Sequence, residues 1–224
     1  MKSILKDRIL HGFYPLDGLI PSEPQLEQEF EVSKITVRNA IQELVQEGYL
    51  EKGSGKGTRV IRNTSTSKLS KRKSFTEILV EEGHRIRKQL LTATAVRHEP
   101  GSEPYWLFGE ESRLIERLYY LDDEPYIHYA HYLPMSTGGL EPDGLGEMSL
   151  YGLLEEQGIA PVDFRDRFEV AAAPDRVARL LKLEPLAPLL RRSRYSRDPA
   201  GDVVEFSVGY YNTAIQQYLV NYEA

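Results

Sequence analysis

Between residues 33 and 47 the chain reads SKITVRNAIQELVQE, with apolar side chains at Val37, Ala40, Ile41, Leu44 and Val45. These positions fall at i, i+3, i+4, i+7 and i+8, the spacing that lines one face of an α-helix. Ser33 stands where an N-cap would accept an orphaned amide, and Gly48 stands where helices commonly stop. The other face of the first two turns carries Lys34, Thr36, Arg38, Asn39 and Gln42, groups suited to base edges and phosphates. A shorter helix is predicted just upstream: Ser22 caps it, Pro24 lies in its first turn and Gln25 closes a capping box. Leu26 and Phe30 face the later helix, and Glu31-Val32 leaves a tight turn between the two. Downstream, Tyr49 to Lys52 and Thr58 to Arg62 read as short strands joined by Gly53-Ser54-Gly55-Lys56-Gly57. Met1 to His11 supplies a first helix on a partial stripe of Ile4, Ile9 and Leu10. Residues 1–62 therefore predict a winged helix-turn-helix domain.

Residues 63–73 open with the serine- and threonine-rich run NTSTSKLS and predict a linker. From residue 74 to residue 224 the pattern mixes helical and strand periods. Helices are predicted from Phe75 to Glu82, from Ser149 to Gln157 and from Asp175 to Leu181. Strands are predicted from Gln89 to His98, Ser112 to Leu121, Pro125 to Leu133, Asp163 to Ala171, Leu189 to Ser196 and Val203 to Tyr211. Tight turns at Asp122-Asp123-Glu124 and from Asp198 to Asp202 imply a largely antiparallel sheet with helices packed on it, an α+β domain.

Composition narrows the picture. Cysteine is absent, which excludes a disulfide framework and a cysteine-based metal site. No apolar run approaches the roughly 20 residues of a membrane helix. Met1 to Leu10 has scattered charges and no apolar core, so no secretory signal is expected and a cytoplasmic protein follows. The net charge of -6 is unlike a nucleic-acid binder, but it is unevenly spread. Lys68, Lys71, Arg72, Lys73, Arg85, Arg87 and Lys88 form a basic stretch, and the acids concentrate later. Charge at the reading helix outweighs the total, because phosphate contacts are short-ranged under physiological screening.

The run LIPSEPQLEQEFEVSKITVRNAIQELVQEGYLEKGSGKGTRV resembles the DNA-binding domain of GntR-type bacterial regulators, with Ile20 and Lys34 as its departures. The resemblance implies that Ser33, Lys34, Thr36, Arg38 and Asn39 face the major groove. It also implies that Lys56, Gly57 and Thr58 reach the minor groove or its phosphates. The second half resembles the UTRA ligand-binding domain of the HutC-like subgroup. The residues that carry this are Glu116-Arg117-Leu118, Asp122 to Pro125, Tyr132-Leu133-Pro134, Ser149-Leu150-Tyr151 with Leu154, and Glu205. That resemblance implies a chorismate-lyase-like fold and an effector site. Phe75, Thr76, Ser149 and Tyr151 would open helices toward an anion, Arg117 would anchor it, and Glu205 would hold hydroxyls or amides. The family's second arginine and its glutamate are replaced by Tyr119 and Tyr129. With Tyr126, Tyr210 and Tyr211 they make the site more aromatic, suited to stacking on a sugar ring.

His128 and His131 lie three apart on one strand and so point to opposite faces, which argues against a metal site. No G-x-S-x-G elbow or complete P-loop is present, and no cofactor is implied. The sequence thus predicts a transcriptional repressor, a homodimer on two-fold operator DNA, released by a sugar, sugar phosphate or related anion. A chorismate-lyase-like enzyme and an effector-independent architectural DNA-binding protein are the alternatives.

Overall fold

A computed structural model describes residues 1–53, 57–63, 78–80, 82–138, 145 and 150–219. The chain divides into two compact units, residues 1–87 with 219–224, and residues 88–218.

The first unit begins with three helices, α1 (Lys2–Leu10), α2 (Glu23–Phe30) and α3 (Lys34–Gln46). A hairpin of β1 (Leu50–Gly53) and β2 (Gly57–Val60) follows. Its pairing is antiparallel, and Leu19 adds a bridge to Arg59. The core gathers Leu5, Ile9, Leu26, Val37, Ile41, Leu44, Tyr49 and Val60. In α1 the buried stripe runs through Leu5 and Ile9, one residue off the expected Ile4, because Leu5 and Ile9 are the pair a helical turn apart. Gln25 Oε1 accepts the Ser22 amide at 2.9 Å, closing the capping box at the start of α2. Glu31 takes a left-handed conformation, φ 50°, and this one residue turns the chain from α2 into α3. Lys2 and Lys6 on α1 pair with Glu43 and Glu47 on α3 at 2.6–2.8 Å, tying the first helix along the reading helix.

The second unit is built on a sheet of six strands: β3 (Ile86–Arg97), β4 (Glu111–Leu121), β5 (Glu124–Leu133), β6 (Asp163–Ala172), β7 (Pro188–Arg197) and β8 (Val203–Tyr211). Their order is β3-β4-β5-β8-β7-β6, and the pairs β4–β5, β5–β8, β8–β7 and β7–β6 are antiparallel. Asp122 and Asp123 both have positive φ, 48° and 72°, the two-residue geometry that matches strand twist in a tight hairpin. The sheet is accompanied by α4 (Glu103–Phe108), α5 (Leu150–Glu156) and α6 (Asp175–Leu180). Leu150, Leu153 and Leu154 of α5 pack on Ile115 and Leu133. Val177 and Ala178 of α6 pack with Leu118 and Leu189. Helix α4 is absent from the sequence reading; Ser102 caps it by accepting the Tyr105 amide at 3.4 Å.

The predicted site residues Lys56, Phe75, Thr76 and Ser149 lie outside the described residues, as do the linker beyond Asn63 and Lys68, Lys71, Arg72 and Lys73.

Candidate functional site

The reading helix presents the polar face that its periodicity requires. Val37, Ala40, Ile41 and Leu44 are buried, while Lys34, Thr36, Arg38, Asn39 and Gln42 are exposed. Ser33 Oγ accepts the Thr36 amide at 3.3 Å and lies 2.9 Å from Thr36 Oγ1, so its hydroxyl is engaged in the cap. Arg38 Nε donates to Glu23 Oε2 at 2.8 Å, and Lys52 Nζ lies 3.3 Å from Glu23 Oε1. One carboxylate from the start of α2 thereby holds a cation of the reading helix and a cation of the wing. The hydrogen bonds from Arg38 and Lys52 hold the Glu23 carboxyl below its ordinary range, Arg38 contributing most. Gly57 and Thr58 begin the second wing strand, and Thr58 faces Lys52 across the ladder. Gly57 has φ 86°, and the Leu19 side chain sits 3.4 Å from where a Cβ would stand.

Two residues on this surface escaped the sequence reading. Ile35 is 71% exposed among the polar groups of α3, where an apolar side chain can meet a thymine methyl. Arg59 is an exposed cation on the wing.

In the second unit, strand register brings distant residues onto one face. Side chains directly opposite each other across a ladder share a face. Arg117 pairs with Tyr129, Tyr129 with Gly209, Gly209 with Arg192, and Arg192 with Phe168, one row across five strands. The adjacent row runs Ile115, His131, Ser207, Arg194, Asp166, and the next carries Glu205, Ser196 and Phe164. Of the predicted effector residues, Arg117, Tyr119, Tyr129, Tyr151, Glu205 and Tyr211 come together here. Tyr119 meets Tyr129 edge-on, with ring centroids 5.3 Å apart, and Tyr151 on α5 reaches Ser196 Oγ at 3.1 Å and Glu205 Oε2 at 3.4 Å.

Glu205 is fully buried; His131 Nδ1 lies 2.9 Å from it and Ser196 Oγ donates to it at 2.6 Å. Burial opposes its ionisation, but hydrogen bonds from His131, Ser196 and Ser207 outweigh burial and hold the carboxyl below its usual range. His131 is pushed down, chiefly by burial and further by Arg117 and Arg192, against the pull of Glu205. A neutral imidazole donates Nδ1–H to Glu205 and leaves Nε2 as a buried acceptor with no hydrogen-bond partner among the described residues.

The arginines divide sharply. Arg194 forks onto Asp166, with both bonds at 2.7 Å. Arg192 donates to Tyr129 at 2.6 Å and to Tyr218 at 2.9 Å. Tyr129 and Tyr211 join hydroxyls beside it. Arg117 is fully buried, and none of its three guanidinium nitrogens has a hydrogen-bond partner among the described residues. Of Arg117, Arg192 and Arg194, only Arg194 pairs with a carboxylate among the described residues. His131, Arg192, Arg194, Asp166 and Tyr218 were not singled out as site residues by the sequence reading.

His128 and His131 lie on opposite faces, as the spacing requires. His128 sits 3.4 Å from Glu116, which Arg176 grips through both oxygens. A cavity of about 460 Å³ opens on that other face, lined by Glu116, His128, Tyr132, Arg176 and Tyr210, away from the predicted effector residues.

This combination of a winged helix-turn-helix and a six-stranded sheet has well-defined relatives. The "Probable fructoselysine utilization operon transcriptional repressor" of Escherichia coli (strain K12) is 29% identical over 197 residues, 87% of this chain and 81% of its own. The "HTH-type transcriptional repressor NagR" of Bacillus subtilis (strain 168) is 26% identical over 196 residues, 85% of this chain and 81% of its own. The crystal structure of PhnF from Mycobacterium smegmatis superposes over 100% of both chains with a TM-score of 0.60 at 22% identity, which establishes likeness of fold. Residues 2–60 match the bacterial regulatory proteins of the gntR family, and residues 81–215 match the UTRA domain. Among the described residues no helix is long and apolar enough to cross a membrane. The chain belongs to the GntR family of DNA-binding transcription regulators that carry a UTRA domain, a family of regulators rather than enzymes.

Proposed function

We propose that the protein is a cytoplasmic repressor that binds a two-fold operator as a homodimer and releases it when a small, hydroxyl-bearing anion enters the polar face of the second unit. The observation that carries the reading is Arg117. A buried guanidinium without a partner is strongly unfavourable, and an incoming phosphate or carboxylate supplies the missing charge and acceptors. Glu205 and the Nε2 of His131, unpartnered among the described residues, suit hydroxyl groups, and Tyr119, Tyr129, Tyr151 and Tyr211 supply rings and further hydroxyls. By family resemblance Phe75, Thr76 and Ser149 add donors to the anion. Relatives named for fructoselysine utilisation and for mannosyl-D-glycerate transport and metabolism point toward sugar-derived effectors.

On the DNA side, residues 1–62 act as the reading domain and residues 74–224 as the sensor. Lys34, Thr36, Arg38 and Asn39 face the major groove from a helix whose start Ser33 fixes. Lys56, Gly57 and Thr58 meet the minor groove or its phosphates. A single module makes few base contacts for genomic specificity, and a dimer doubles them. A ligand that distinguishes the two DNA-affinity states would couple by about 1–3 kcal/mol. The test is operator affinity, titrated by gel shift, with and without a panel of sugar phosphates, for the wild type and for Arg117→Met. An effector that releases the wild type but leaves Arg117→Met on DNA supports the site. Equal release of both places it elsewhere.

A further inference from the structure

The groove-facing arginine is not free. Its Nε–H is taken by Glu23 at 2.8 Å, while its terminal nitrogens make no hydrogen bond among the described residues. Nε and the terminal pair lie on different edges of the planar guanidinium. A carboxylate on the Nε edge therefore fixes the plane and leaves the terminal amines pointing outward as a pair. That pair can serve a guanine, whose O6 and N7 accept two parallel bonds in the major groove. Glu23 comes from the first residue of α2, ahead of the turn, so the orienting group and the reading helix belong to different elements. The same carboxylate also holds Lys52 of the wing at 3.3 Å, which keeps that cation from a phosphate.

We infer that Glu23 is a specificity-determining residue: it orients Arg38 for bidentate base recognition and, as a negative charge on the DNA-facing surface, weakens binding to sequences that offer no such base. This inference rests on the reading of Arg38 as a groove contact. Two consequences have opposite signs. Without the carboxylate, Arg38 loses its fixed plane and operator binding weakens. At the same time Lys52 is released and a charge that repels phosphates is gone, so binding to unrelated DNA strengthens. A merely structural role for Glu23 would weaken both together.

The experiment uses full-length protein and two duplexes: one enriched from a random library by the wild type, and a scrambled duplex of the same composition. Glu23→Gln keeps the shape of the side chain and removes its charge; matched thermal melts confirm the fold. Expected are a loss of about tenfold in affinity for the selected duplex, within the range of one bidentate base contact. Affinity for the scrambled duplex is expected to rise, with a salt slope steeper by about one unit from the freed Lys52. Glu23→Asp, which keeps the charge but shortens the reach, is expected to lose affinity for the selected duplex without gaining on the scrambled one. If Glu23→Gln lowers both affinities equally, or changes neither, the inference is overturned. Arg38→Ala separates the two levels. Should it leave the selected duplex unaffected, the groove role of Arg38 itself fails. Should it weaken that duplex while Glu23→Gln leaves the ratio unchanged, only the role of Glu23 fails.

Discussion

Arg38 and Arg117 are the same side chain in opposite settings. Arg38 has a side chain 57% exposed and lies against a carboxylate; Arg117 is fully buried and unpartnered among the described residues. Water and salt screen the first, so its ion pair is worth little to stability and its terminal amines remain open to DNA. The second sits where desolvation is severe and screening weak, so a charge there is costly unless an anion or acceptor reaches it. The surface that meets a large, hydrated polyanion keeps its charges wet and provisionally paired. The face proposed to meet a small ligand keeps a charge dry and, among the described residues, unpaired, which a neutralising ligand would relieve.

The sharpest way to break this contrast is Arg117→Met. Removing an uncompensated buried charge while keeping much of the volume should stabilise the ligand-free second unit by about 1–4 kcal/mol and abolish effector response. Calorimetric melts check the first part; a lower melting temperature would show that Arg117 is already satisfied. Next is Arg38→Ala, expected to lower operator affinity by about 1–3 kcal/mol with the melt unchanged, because Arg38 lies off the apolar face. A gel-shift titration with unchanged affinity would remove it from the interface.

Acid gives a third, graded contrast. Burial is the largest influence holding both His128 and His131 below the ordinary histidine range. They stay neutral in the fold and charge on unfolding, so the unfolded state binds more protons below about pH 6.5. Their contribution is complete above that pH and is lost as pH falls, by up to about 1.4 kcal/mol per pH unit for each ring. Denaturant melts from pH 7.5 to 5 should show this in the second unit; a flat profile would mean that these rings are charged in the fold. The smallest effect is Ser33→Ala, which removes the cap of α3 and should reduce stability of the first unit by about 1 kcal/mol. Denaturant midpoints measure it.

The first unit was legible because its signals are local. Ser22, Pro24 and Gln25 start a helix within four residues, and the apolar face of α3 repeats within one element. Yet the same Ser-Glu-Pro triplet recurs at Ser102-Glu103-Pro104 and starts α4, which was overlooked because only six residues follow with no repeating apolar face. The second unit was legible as strands and much less as a site. Its polar face is assembled from five strands whose neighbours are set by non-local pairing, with β5 beside β8. Strand β7 hides its role further, since Arg192, Arg194 and Ser196 on one face alternate with Arg191, Ser193 and Tyr195 on the other. With both faces polar, period-two alternation carries no message. Tyr218 lies beyond the last strand and joins Arg192 only through the fold. Arg117, Tyr151 and Glu205 enter the candidate site through family resemblance, whereas the spacing of His131 from His128 speaks only against a metal site.

Gly209 occupies the middle of the row between Tyr129 and Arg192, and a Cβ built there would lie 2.5 Å from Cε1 of Tyr129. The tyrosine ring thus rests in the space of a missing methyl group, directly over the backbone of the neighbouring strand. Tyr129 stands in the row between Arg117 on β4 and Arg192 on β7, with its hydroxyl bonded to Arg192. A single carbon at position 209 would force the ring from this place. The arrangement of this polar face is therefore written in the main chain of β8 as much as in the side chains upon it, and selection could reshape it by adding one methyl group to a glycine.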